Sequence, residues 1–184
     1  MTGFKKNLLR GRLTESAVIR WLMARGNSIV PINDIDSKED FKGPRIFAPD
    51  ADLIAPDILI YRSEKALWVE VKDKSTWTEY KKEGVLQTGI DLPCWEDYLR
   101  IAKESGIPVY LLFLQRSGGP AGLYCGEVNG LKEKIHHTWH GQYRPGRKSG
   151  MVYWNIDALT KIADLEEIDK NYQCLAEEDS DEAV

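Results

Sequence analysis

Asp57, Glu70 and Lys72 carry reactive groups at a spacing that a β-hairpin would bring together. Pro56–Tyr61 and Ala66–Lys72 read as two strands joined by the turn Arg62-Ser63-Glu64-Lys65. A symmetric turn sets Tyr61 against Ala66, and therefore Asp57 against Glu70. Directly opposed residues have Cβ atoms about 4.5–5.5 Å apart, and like charges there repel. Side chains alternate along a strand, so Glu70 and Lys72 share one face with Trp68, about 6.6 Å apart along the chain. Leu67, Val69 and Val71 point the other way. One face thus gathers two carboxylates and an amine.

A divalent cation would make that pairing tolerable. Magnesium takes oxygen ligands in near-octahedral geometry and often uses only one or two carboxylates besides water and phosphate. Asp57 and Glu70 supply the carboxylates, and the backbone carbonyl of Val71 offers a third protein oxygen. Lys72 then stands beside the attacking water, which an amine of readily shifted pKa can position or deprotonate. The chemistry implied is metal-assisted attack on a phosphodiester. The competing reading is an exposed strand face of alternating charge. The apolar flanks Ile58-Leu59-Ile60 and Leu67-Trp68-Val69 weigh against it, and so does Pro56, which fixes the strand start.

The elements that must hold this hairpin follow from periodicity. Leu9, Leu13, Ala17 and Trp21 recur at i+4, and Val18, Ile19 and Leu22 widen the stripe, so residues 8–25 form an amphipathic helix with Gly26 after its end. Residues 27–32 read as a short strand. Residues 33–55 have no period and read as an irregular connection, which at that length is expected to be a mobile flap beside the site. Asp34, Asp36 and Asp40 hint at a calcium loop, but Glu39 and Arg45 stand where glycine and glutamate are needed. After the hairpin comes a lysine-rich stretch, 73–89. Asp91 is the expected N-cap of a helix with Pro93 in its first turn and Trp95, Tyr98, Leu99 and Ala102 inward, ending at Gly106. Residues 107–114 are nearly all apolar and read as a central strand. Further strands are expected at 123–128 and 151–155, then a short helix over 158–168. Helix–strand–strand–strand–helix–strand is a mixed α/β layer.

Pro56-Asp57, twelve residues, then Glu70-Val71-Lys72 resembles the PD-(D/E)xK nuclease superfamily. Gly11-Arg12-Leu13-Thr14-Glu15, Gly26 and Val69-Glu70-Val71-Lys72 are most similar to the archaeal and viral Holliday-junction-resolvase branch. The resemblance covers roughly residues 8–114 and implies a restriction-endonuclease-like core, α-β-β-β-α-β, with a mixed central sheet flanked by helices. It implies a magnesium-dependent deoxyribonuclease, with manganese able to substitute, and a homodimer if the substrate is a junction. The 33–55 connection is longer than in compact resolvases, which leaves the substrate open between structure-selective, exonucleolytic and restriction-like cleavage. A binding module that keeps the fold without catalysis is the alternative class.

Glu15 sits on the apolar stripe of the first helix, with Val18, Ile19 and Leu22 at +3, +4 and +7. A carboxylate there needs a partner. It reads either as a water-mediated ligand or second-metal residue that assists catalysis, the reading the resemblance favours, or as a first-turn acid behind Thr14 as N-cap. Candidate nucleic-acid contacts are Lys74, Lys81 and Lys82, interleaved with Trp77 and Tyr80, then Gln87, and the basic loop bearing Arg144, Arg147 and Lys148. His136, His137 and His140 lack a cysteine or acid at zinc-motif spacing.

Charge is unevenly placed. Residues 164–184 hold nine acids against Lys170, a net −8, while the remaining 24 bases and 20 acids give the body +4. The expected organisation is a nuclease-like domain over 1–163 and an acidic tail over 164–184, which could contact the chain's own basic cleft or a basic protein. With 42% hydrophobic residues, wholesale disorder is excluded. Three cysteines without a CxxC pair argue against a disulfide framework, and no apolar run approaches a membrane span, so a cytoplasmic protein is expected.

Overall fold

The computed structural model describes residues 3–32, 44–141 and 149–171. Helix α1 (Gly3–Met23) begins earlier than periodicity marks. Thr14 therefore lies inside the helix and caps nothing. The buried stripe is Thr14, Ala17, Val18 and Trp21, whereas Leu13 remains exposed. Gly26 takes φ +82°, the left-handed conformation expected after a helix end.

Strands β1 (Ser28–Pro31), β4 (Ile58–Arg62) and β5 (Lys65–Lys74) form an antiparallel meander. Between β1 and β4, residues 45–54 form a small ribbon, β2 (Arg45–Phe47) and β3 (Asp52–Ile54). The expected irregular connection is thus a hairpin over that part. Its Ile46 and Leu53 face the core, an alternation too short to register as a period. Residues 33–43, with the rejected calcium loop and most of the expected flap, lie outside the described residues.

The register of β4 and β5 is the expected one: Tyr61 faces Ala66 and Ile58 faces Val69. Helix α2 (Leu92–Ser105) starts after Asp91, whose side chain makes no capping hydrogen bond, and ends at Gly106, φ +68°. It leads into β8 (Val109–Gln115), which lies parallel to β5. Strands β9 (Gly122–Glu127) and β12 (Thr160–Ala163) complete a six-stranded mixed sheet of order β1-β4-β5-β8-β9-β12.

Each face of this sheet carries its own core. Leu112 and Leu114 of β8 join Ile58, Ile60, Val69 and Val71 beneath α1. Leu111 and Phe113 point oppositely and join Trp95, Tyr98 and Ile101 of α2. Burial on both faces explains why β8 reads as a continuous apolar run.

The lysine-rich stretch is not a loop. It holds β6 (Thr78–Tyr80) and β7 (Val85–Asp91), which pair with β11 (Gly150–Asn155) and β10 (His137–His140) in a second sheet, β10-β11-β7-β6. Thr88, Ile90, Val152 and Trp154 are buried, while Lys81 and Lys82 lie on the β6–β7 turn and Lys74 ends β5. The short helix α3 (Val128–Lys132) lies between β9 and β10. The helix expected over 158–168 resolves into a 3-10 turn at Ile156–Ala158, strand β12 and a helical segment over 165–171. That last segment belongs to the expected acidic tail, yet it is packed: Ile168 is fully buried, Glu167 pairs with Arg25, and Asp169 pairs with Arg116. Among the described residues, no helix is long and apolar enough to cross a membrane.

Candidate active site

Asp57 lies immediately before β4, opposite Glu70 of β5. Ile32 N–H donates to its carbonyl (2.8 Å), and its own Oδ2 accepts from Val71 N–H (2.7 Å). Main-chain bonds therefore fix the carboxylate against the neighbouring strand. Glu70 is 2% exposed. Its Oε1 pairs with Lys72 Nζ, two residues on and on the same face, while Oε2 is buried without a partner.

The electrostatics follow from this crowding. Burial pushes the Asp57 carboxyl well above the usual range, and the charges of Glu70 and Glu15 add to the shift, against the pull of Lys72 and the Val71 N–H. Glu15 of α1 is raised for the same two reasons, burial first and Glu70 second. The helix thus delivers Glu15 to the carboxylate pair. Burial opposes the Lys72 ammonium, but Glu70 and Asp57 together outweigh it and hold its pKa above the ordinary lysine value. Three acids converge on Lys72.

Helix α2 contributes Tyr98, which sequence reasoning assigned to the core alone, and Cys94, to which it gave no role. The buried Tyr98 hydroxyl lies beside Glu70; burial and that carboxylate push its pKa well up. The Cys94 thiol lies within the field of Lys72 and Glu70 and is pushed up to about 11 by burial. Tyr98 carries no sequence signal beyond an apolar stripe and Cys94 carries none, so only the tertiary placement of α2 finds them.

The remaining candidates separate. Lys74 shares the face of Glu70 and Lys72, and burial, reinforced by Lys72, brings it down to about 8. Lys81 and Lys82 are exposed on the β6–β7 turn. Gln87 is a strand residue, 3% exposed, paired between Thr78 and Asn155 with Oε1 lacking a partner. Trp77 is no stacking platform: it is buried edge-on against Tyr124, and its Nε1–H donates to the Pro120 carbonyl (2.9 Å). Arg144, Arg147 and Lys148 lie outside the described residues. His136 and His137 approach through Nδ1 atoms 2.9 Å apart, with Glu83 on the other nitrogen of His136.

Among the described residues, no group of three or more His, Cys, Asp or Glu side chains could hold a metal ion unaided. The donor set is smaller: the Asp57 carboxylate and the orphaned Glu70 Oε2, with the carbonyl of Val71, the residue after Glu70. A buried carboxylate oxygen without a partner is costly unless something cationic meets it. Two carboxylates and a main-chain oxygen suit a small hard cation that keeps several waters.

No family model matches the chain, and no curated protein matches it significantly. Its fold is restriction-endonuclease-like, a mixed central sheet flanked by helices. Among solved structures it is similar to Hjc, a Holliday junction resolvase from Archaeoglobus fulgidus, at a TM-score of 0.50 and 14% identity, covering 86% of this chain and 99% of that one. A nuclease from a fusselovirus is aligned over 97% of this chain and 96% of its own, at a TM-score of 0.43 and 14% identity.

Proposed function

We propose that this chain is a metal-dependent nuclease that hydrolyses phosphodiester bonds of DNA. The observation that carries the reading is the buried, unpartnered Glu70 Oε2 beside a second buried carboxylate, with Lys72, among the described residues, as the amine paired to Glu70. Asp57, Glu70 and the Val71 carbonyl are the groups that would hold Mg2+, or Mn2+ in its place. Bound there, the cation would polarise the scissile phosphate and make an attacking water more acidic.

Lys72 stays protonated beside its two carboxylates, so its part is that of a donor. Its N–H groups orient the attacking water and offset the charge that develops on the phosphate. Glu15, with its raised pKa, accepts or shares a proton of that water more readily than an exposed carboxylate does. Tyr98 holds Glu70 in place from α2. Lys74, Lys81 and Lys82 supply positive charge for the phosphate backbone, and Arg144, Arg147 and Lys148 are proposed as further contacts. Within DNA, a branched or otherwise discontinuous substrate is the favoured class, because the structural neighbour Hjc is a Holliday junction resolvase. A symmetric junction would require two copies of the chain.

The test is cleavage of unbroken duplex, flapped duplex and four-way junction DNA with Mg2+, with Mn2+ and with EDTA. Metal-dependent cutting lost in Asp57→Ala and Lys72→Ala supports the reading. DNA binding without cutting under every condition would instead leave a binding module that keeps the nuclease fold.

A further inference from the structure

We propose that Phe47 stacks on a nucleobase exposed at an end, flap or branch of the substrate, and so sets a preference for discontinuous DNA over unbroken duplex. This rests on the nuclease reading and names the substrate class of that same site. Phe47 is 81% exposed, the most exposed large apolar side chain among the described residues. A lone exposed phenylalanine would need no explanation. The setting of this one does.

In the β2–β3 ribbon Ile46 faces Leu53 and Phe47 faces Asp52. Leu53 is 3% exposed, so that pair points inward and alternation turns Phe47 outward. A solvent-facing strand position is where a polar residue is expected. The ribbon is also held rigidly. Ala55 N–H donates to the Pro44 carbonyl (2.9 Å), Ile54 N–H donates to Asp97 Oδ2 (2.8 Å), and Asp50 pairs with Arg100. Asp97 and Arg100 belong to α2, the helix that sets Tyr98 and Cys94 beside Glu70. The ring therefore stands on a braced finger and cannot fold back onto the core.

Its reach matches a bound nucleic acid. Five residues of chain separate Asp52 from Asp57, at most about 17 Å, and one strand spacing of about 5 Å adds Phe47. At about 3.4 Å per nucleotide along a strand, the finger lies within about six nucleotides of the scissile phosphate. Asp52 beside the ring repels phosphate and accepts hydrogen bonds from base amino groups. The tip is thus suited to a base and unsuited to the backbone. In an unbroken duplex the faces of the bases are covered by their neighbours, whereas an end or branch exposes one.

The test compares wild type, Phe47→Ala and Phe47→Trp in the full chain with Mg2+. On flapped or four-way DNA, Phe47→Ala should lose about tenfold in kcat/KM, the scale of one base–aromatic stack. Cleavage of unbroken duplex and thermal melting should be unchanged, and Phe47→Trp should retain the preference. A second readout needs no cleavage: 2-aminopurine at the branch should be quenched by the Asp57→Asn variant and not by Asp57→Asn/Phe47→Ala. Equal effects on branched and unbroken DNA would overturn the proposal. So would quenching that survives Phe47→Ala, or conversion of a dimer to a monomer by that substitution, which would mark Phe47 as a contact between copies. If no DNA is cut by wild type, the nuclease reading fails while the fluorescence arm still decides the role of Phe47.

Discussion

Asp57→Asn should stabilise the metal-free protein while abolishing its response to metal. The substitution keeps a side-chain oxygen to accept the Val71 N–H and removes one charge. With Cβ atoms about 5 Å apart across the strands, two carboxylates repel by about 3 kcal/mol at an effective dielectric of about 20. The lost attraction to Lys72 offsets part of this, leaving a gain of about 1–2 kcal/mol, or roughly 2–8 °C in Tm for a domain of this size. The pH dependence fixes the sign. The folded-state pKa of Asp57 is raised, so between the unfolded value and the folded one the native state binds more protons, and stability falls as pH rises through that window. Below about pH 4 Asp57 is protonated in both states, and the advantage of asparagine vanishes. It should grow with pH and level off above the folded pKa. Mg2+ reverses the order, because wild type gains about 2.7 kcal/mol at a hundredfold excess over Kd and the variant gains nothing. Thermal melts of both proteins from pH 4 to pH 8, with EDTA and with Mg2+, measure all of this. A variant less stable than wild type in EDTA at pH 8, or a difference that does not shrink on acidification, would refute the electrostatic account of the site.

Lys72→Ala should abolish cleavage and also destabilise the metal-free fold by about 1–3 kcal/mol, since the buried Glu70 loses its counter-charge; Lys72 is one-third exposed, which keeps the figure at the low end of buried pairs. Adding Glu70→Gln should recover the stability and not the activity, as read by denaturant melts beside cleavage rates. Tyr98→Phe should cost about 1 kcal/mol and weaken Mg2+ binding in a calorimetric titration, with the fold unchanged by circular dichroism. Truncation after Asn171, which keeps the buried Ile168 and the Asp169–Arg116 pair, should tighten DNA binding at low salt, and the gap should close as ionic strength rises; equal affinities at low salt would make residues 172–184 a passive or partner-docking tail.

The parts of this molecule legible in its sequence are those fixed by local rules. The Asp57–Glu70 opposition follows from an even-numbered turn, and the structure closes that turn with Ser63 and Glu64, Ser63 taking φ +56°. The apolar run of β8 announces a strand buried on both faces. What was hidden depends on contacts far along the chain. The lysine-rich stretch looked polar because its charges cluster at one turn, while the Thr88 and Ile90 that bury it meet Trp154 and Val152 more than sixty residues later. Tyr98 could be placed on the inward face of α2, but only the packing of that helix over β7 and β8 sets its hydroxyl beside Glu70. Thr14 read as a cap because Glu15 behind it would then be a first-turn acid favoured by the helix dipole, yet its Oγ1 donates to Asp73 Oδ2 (2.8 Å).

Asp73 also explains why Glu70 marks the site. Both are buried acids on β5, three residues apart and on opposite faces. Asp73, 4% exposed, pairs with Arg10 (3.1 Å) and Arg116 (3.2 Å) and accepts the Thr14 hydroxyl. Those partners tie α1 and the end of β8 to β5. That is how folding alone treats a buried carboxylate: charge is matched and both oxygens are engaged. Glu70 is as deeply buried, yet it shares one ammonium with Asp57 and leaves Oε2 without a partner. The same strand satisfies one acid fully and leaves the other short of positive charge. The deficit falls where Asp57 and Glu15 add further negative charge, so stability is lost where a cation would restore it. The contrast with Asp73 is the one that a cation at Asp57 and Glu70, as proposed, would remove.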